Sequence, residues 1–237
     1  MCRLLVVKSE EEFNIEEYLD KFAKSCKNSE EYQGHGWGCS YLVGDNHEPP
    51  TPKHKLNWQH YKNIKPIWED NLTRFSRTKL LIAHARSAFE DKNIRVENNM
   101  PFHDNKYIFI FNGELRGVKI KEQGRIGAEK IFNYIKRFNK GNLLEALNKA
   151  TEIIKKRTEN LKAMNIIMSD GRKIYLSSDF NERPEYFTVR IKNENNKLII
   201  CSEPLDNSEW EKIPNKTVKS FTIFEQSNKI EKPEEFL

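Results

Sequence analysis

The chain predicts an α+β fold in which sheets pack on each other and helices lie outside. Three observations carry that expectation. The periodic segments run strand, helix, strands, helices, strands, without the alternating strand–helix–strand rhythm of a parallel sheet. The runs at 3–7, 80–85 and 107–111 are short and apolar and read as buried strands. At 237 residues the chain can bury a substantial core, and one domain over residues 1–237 suits that length better than two.

Each element has a local cause. Leu4-Leu5-Val6-Val7 ends in β-branched residues and is closed by Lys8, a strand at the very start. Residues 9–27 carry Ile15, Tyr18, Leu19, Phe22 and Cys26 on one helical face, with Ser9 and Glu12 spaced as a capping box. Gly34, Gly36 and Gly38 allow tight turns around His35 and Trp37, and a strand follows at 40–43. Residues 45–66, polar and broken by Pro49, Pro50, Pro52 and Pro66, read as a surface excursion; His47, His54 and His60 lie in it at spacings that match no compact metal motif. Pro66 then opens a short helix with Trp68, Leu72 and Phe75 on one face. Strands are expected at 80–88, ending in His84 and Arg86, and at 107–111, Tyr-Ile-Phe-Ile-Phe. Helices are expected at 126–138, with Ile131, Tyr134, Ile135 and Phe138 inward, and at 142–161, with Asn142 as cap and Glu145 as its partner. Strands at 164–168, 173–178, 186–191, 197–201 and 217–224, with a turn at Asp170-Gly171, complete the order.

Composition narrows the function classes. Charged residues make up 32% of the chain, which gives a heavily solvated exterior. The net charge of +5 comes from basic residues interspersed with acidic ones, with no Lys/Arg stripe carrying aromatics. Neither nucleic acid nor a membrane is expected as a partner. Four cysteines lack CxxC spacing, and the apolar run between Arg3 and Lys8 is too short for a signal peptide. Free thiols in a reducing, cytoplasmic location follow, with no metal and no cofactor.

Three places carry candidate chemistry. Cys2 becomes the first residue if Met1 is cleaved, and then bears both a thiol and a free α-amine. With a thiol pKa near ~8.5 and an α-amine near ~7.7–8.0, the amine can take the thiol's proton at neutral pH. The plain alternative is a small buried hydrophobe, the usual fate of a free cysteine. Arg86, at the end of a buried strand, needs an anion: a protein carboxylate or a substrate carboxylate held bidentately. Asn112-Gly113 after a strand is a standard hairpin signal, and equally an Asn amide and a Gly N–H that can converge on one oxygen.

Taken together the chain resembles the class II glutamine amidotransferases, which are N-terminal nucleophile hydrolases, and most closely their small stand-alone branch. The parts, in the family's order, are Met1-Cys2-Arg3, Gly36-Trp37-Gly38, Ala83-His84-Ala85-Arg86, Pro101-Phe102, Asn112-Gly113-Glu114-Leu115 and Cys201-Ser202-Glu203-Pro204-Leu205. The resemblance implies a four-layer αββα sandwich and cleavage of the γ-amide of glutamine, or of a γ-glutamyl compound, through a thioester on Cys2. It implies that Asn112 and the Gly113 N–H form the oxyanion hole and that Arg86 holds the substrate α-carboxylate. Trp37, His84 and Glu129 join them as candidate substrate-binding residues. Gly127 stands where the family has an Asp for the substrate ammonium, with Arg125 nearby and Glu129 as a possible substitute. Met100, Phe111 and His35 also depart from the pattern. The small-molecule substrate is therefore glutamine or another γ-glutamyl compound, with a separate synthase subunit as a possible acceptor of ammonia. The alternative function is a catalytically degenerate binding or regulatory module of the same fold.

Overall fold

The computed structural model describes residues 1–43 and 56–222, together with the backbone of 235–236. The expectations for 44–55, including His47 and His54, and for 223–224 lie outside the described residues.

Strands β1 (Arg3–Asn14), β2 (Trp37–Leu42), β3 (Trp58–Asn63) and β4 (Arg77–Ala85) lie in one sheet with β9 (Arg190–Glu194), β10 (Lys197–Cys201) and β11 (Glu211–Lys212), in the order β11-β9-β10-β1-β4-β2-β3. The second sheet holds β5 (Phe102–His103), β6 (Ile108–Arg116), β7 (Asn160–Ser169), β8 (Lys173–Ser178), β12 (Thr217–Thr222) and β13 (Glu235–Phe236), in the order β13-β12-β8-β7-β6-β5. Every pairing is antiparallel.

Alternation along the strands makes the layers. Leu4, Val6, Leu80, Ile82 and Ile200 face the second sheet and meet Ile108, Ile110 and Ile167 there. Leu5, Val7, Leu81, Ala83 and Ile199 point the other way, onto α1 (Ile15–Lys27), through Ile15, Leu19 and Phe22. On the far face of the second sheet lie α2 (Gly127–Phe138) and α3 (Leu143–Lys156), which pack on each other; the rings of Phe109 and Phe132 are 5.1 Å apart. A fourth, short helix is α4 (Pro184–Phe187). The result is the expected αββα sandwich. Central strands bury both faces, which is why they read as continuous apolar runs, and each fully buried aliphatic contributes about 1.5–3 kcal/mol.

Several elements differ from the sequence reading. The first helix begins at Ile15, because β1 continues past a register shift to pair Phe13 with Thr78 and Asn14 with Arg77. Its cap is Asn14, whose Oδ1 accepts from the Glu16 N–H at 3.1 Å, while Ser9 accepts from Glu11 within the strand. Residues 58–63 are a strand paired to β2, not open loop. The segment after Pro66 is two 3₁₀ turns, Ile67–Glu69 and Leu72–Arg74. The 186–191 segment is α4 followed by the start of β9. Asn112-Gly113 makes no hairpin: β6 runs through both to Arg116, paired to β7 along its length.

Candidate active site

Register places the site. Arg3 lies opposite Ala85, so Cys2 lies beside Arg86 at one end of β1 and β4. Cys2 is partly exposed, and its thiol reaches the Ser87 carbonyl at 3.5 Å. Burial pushes that thiol above its ordinary pKa, opposed by the neighbouring ammonium and, more weakly, by Arg86. A thiol held protonated needs a base at hand to become a nucleophile.

Asn112, fully buried on β6, donates from Nδ2 to the Cys2 main-chain carbonyl, which fixes the amide next to the thiol-bearing residue. Asn112 is itself held. Its Oδ1 accepts from Asn165 Nδ2 at 3.3 Å, and Asn165 in turn donates to the Phe187 carbonyl (2.7 Å) and accepts from Ser178 Oγ (2.8 Å). The sequence reading passed over Asn165 and Ser178. A lone Asn inside the apolar run Met164-Asn165-Ile166-Ile167-Met168 was the available signal, since a buried polar side chain must be satisfied.

The Gly113 N–H is aimed by the ladder. Its partner Met164 donates outward, to the Asp179 carbonyl at 2.7 Å, so Gly113 and Met164 form a non-hydrogen-bonded antiparallel pair. The Gly113 N–H therefore points to the opposite edge of β6. There β5 pairs only with Ile108 and Phe109, leaving the edge beside Gly113 without a strand. Glycine is required by close approach: a Cβ here would lie 2.1 Å from the Ala163 carbonyl oxygen.

Arg86 is 5% exposed and, among the described residues, its side chain makes one hydrogen bond, a long one (3.4 Å) to Asn99 Oδ1. Among the described residues no carboxylate forms an ion pair with it. Arg3, equally buried, is by contrast saturated: it pairs with Glu203 at 2.6 Å, bonds Ser29 and two carbonyls, and lies on the Tyr186 ring. The loop carrying Arg86 is tied by His35, whose Nδ1 accepts from the Ala88 N–H at 2.8 Å. That interaction needs a neutral ring, and burial holds the His35 pKa below its ordinary value.

The remaining candidates sit elsewhere. His84 is fully buried between the sheets and donates from Nε2 to the Phe111 carbonyl at 3.2 Å. Its Nδ1 is buried without a partner, and burial, reinforced by Arg86, brings its pKa down to about 3. The ring is neutral and braces the strand one residue before Asn112. Trp37 faces the other side of its sheet, tilted against Tyr61 and edge-on to Phe75, with its indole N–H on Asp70 at 2.9 Å. Glu129 is paired to Arg125 and lines a cavity of about 550 Å³ with Lys62, His60 and His103. Cys2, Arg86 and Asn112 do not line it. Trp37 and Glu129 are thus not brought to Cys2. Among the described residues, no three His, Cys, Asp or Glu side chains are grouped to hold a metal, and no helix is long and apolar enough to cross a membrane.

Known structures share this architecture. A "glutamine aminotransferase class-II domain protein" from Silicibacter pomeroyi superposes with a TM-score of 0.63 at 15% identity, over 93% of this chain and 95% of its own. A glutamine phosphoribosylpyrophosphate amidotransferase from B. subtilis gives 0.65 at 13% identity, over 93% of this chain but 47% of its own, so the chain spans about half of that enzyme. A predicted glutamine amidotransferase from Pseudomonas aeruginosa gives 0.54 at 16% identity, over 96% of this chain and 100% of its own. At these identities the likeness is one of fold. Comparison with curated proteins by sequence gives no match. The family model for class-II glutamine amidotransferases matches residues 1–234, and the chain belongs to that family.

Proposed function

We propose that the chain, once Met1 is removed, hydrolyses the side-chain amide of glutamine or of a γ-glutamyl compound through a thioester on Cys2. The observation that carries this is Arg86: a buried guanidinium without a carboxylate partner among the described residues, next to the Cys2 thiol. An unpaired buried charge is costly, and a substrate α-carboxylate at Arg86 removes that cost on binding.

In this reading the freed α-amine takes the Cys2 proton, and the thiolate attacks the γ-carbonyl carbon. The oxyanion receives the Gly113 N–H and the remaining Nδ2 hydrogen of Asn112. Loss of one such donor typically costs about 10²–10³ in rate. The C–N bond breaks as the α-ammonium returns its proton to the leaving nitrogen, and water, activated by the same amine, hydrolyses the thioester. His84 positions β6 from behind rather than touching substrate. Ammonia released from glutamine would pass to a separate synthase subunit or to solution. A chain kept only as a binding module has no need of a buried amide, a directed glycine N–H and an unpaired arginine around one thiol.

Hydroxylamine tests the thioester directly. Protein of confirmed Met1-free mass, given glutamine or γ-glutamyl amides with hydroxylamine, should form γ-glutamyl hydroxamate, and Cys2→Ala should form none. Absence of hydroxamate from every γ-glutamyl amide, with Cys2 inert to iodoacetamide, would favour the binding module.

A further inference from the structure

Met1 fills a built pocket. Its ammonium contacts the Glu31 carboxylate, and its carbonyl accepts from Gln33 Nε2 at 2.6 Å and from the Tyr186 hydroxyl. The residue packs against a small cluster of Ala163, Phe180, Tyr186 and Phe187. These walls hold their places through other partners. The Tyr186 ring is clamped between the guanidinium groups of Arg3 and Arg183, 4.0 and 4.4 Å from its centroid. Gln33 is fully buried; its Nε2 also donates to the Glu31 carbonyl (2.9 Å) and lies 3.2 Å from the Tyr186 hydroxyl, and Arg183 holds the second oxygen of Glu31. The Gln33 Oε1 is buried with no partner, an acceptor waiting for a donor.

The proposed reaction empties this pocket at a telling place. The leaving nitrogen must receive its proton from the Cys2 α-amine, the very atom to which Met1 is bonded. The leaving group therefore comes off beside the space that Met1 vacates. Ammonia needs neither a carboxylate, an aromatic wall nor a free amide oxygen there. We infer that the vacated Met1 pocket is a leaving-group subsite, and that it takes a short aliphatic amine ending in a second ammonium, directed at Glu31 and Gln33 Oε1. This rests on the amidohydrolase reading above and extends it: the preferred substrate is a γ-glutamyl amide of a diamine.

Two amides of equal length separate charge from size. Met1-free protein is given glutamine, γ-glutamyl-3-aminopropylamide and γ-glutamyl-butylamide, and kcat/KM is measured for each. The aminopropyl amide should exceed the butyl amide by about tenfold or more, as a desolvated charge pair confers, and Glu31→Gln should bring that ratio to about one. The wild-type ratio decides alone if the variant does not fold. Equal rates for the two amides, or glutamine outrunning both, would overturn the subsite while leaving the amidohydrolase standing. Turnover of none of the three, with Cys2 unreactive, would overturn both.

Discussion

His84 near the end of β4 and Arg86 just past it solve opposite electrostatic problems. Arg86 keeps its charge in a buried place without an acidic partner among the described residues, a cost that an arriving anion, in the proposed reading, removes. Arg86→Lys keeps the charge and loses the planar fork. It should raise KM by roughly 30-fold or more, a loss of about 2 kcal/mol or above, while Cys2 alkylation by iodoacetamide stays near the wild-type rate. An unchanged KM would remove Arg86 from the substrate. His84 gives up its charge instead, its pKa brought from 6.5 to about 3. A depressed histidine contributes stability that is whole above pH 6.5 and is lost as pH falls towards 3. Each pH unit in that window costs about 1.4 kcal/mol for one such group. Burial holds His35, His60 and His103 down as well, so all four described histidines pull the same way. Urea midpoints should fall steadily between about pH 6.5 and about pH 5, and His84→Gln should flatten the slope; a midpoint constant across that range would contradict the account. Residue types announced Cys2, Arg86, Asn112 and Gly113, because each is odd where it stands. Gln33 and Tyr186 gave no such signal: their shared partner, Met1, is 32 and 185 positions away.

At the scale of elements, local signals lost wherever a long-range ladder opposed them. Ser9 and Glu12 match a capping box, yet pairing with β4 holds the chain extended to Asn14, and the cap moves there. Asn112-Gly113 matches a hairpin turn, yet β7 runs alongside through both residues and the strand continues. Signals that agreed with the tertiary structure survived, as with Asn142 capping α3 through the Glu145 N–H at 3.1 Å. The two glycines of interest then separate by what surrounds them. Gly113→Ala should destabilise by about 1–3 kcal/mol, since the added carbon meets the β7 backbone, and should also cut turnover. Gly127→Ala, in the first turn of α2 with no atom within 4 Å of the added carbon, should be neutral or stabilising by up to about 1 kcal/mol. Differential unfolding of the two variants checks both; equal effects would mean that close approach at β7 is not what selects glycine at 113.

At the scale of the molecule, the sandwich explains how a thiol at the start of the chain comes to be held beside Arg86. β1 is a central strand flanked by β10 and β4, so Leu4 to Val7 are buried on both faces and Cys2 is anchored at the rim of the core. The layers were legible from apolar runs and from the absence of an alternating rhythm. The pairing order was not, because registers between strands nearly two hundred residues apart leave no local trace. The same geometry makes Met1 the switch of the whole reading: with Met1 in place, the nitrogen of Cys2 is a peptide nitrogen and cannot act as a base. The most direct test measures glutamate release from glutamine and γ-glutamyl amides by three proteins of verified intact mass: Met1-free wild type, Met1-retaining wild type, and Met1-free Cys2→Ala. The account predicts release by the first alone. Equal release by the Met1-retaining protein, or undiminished release by Cys2→Ala, would contradict it.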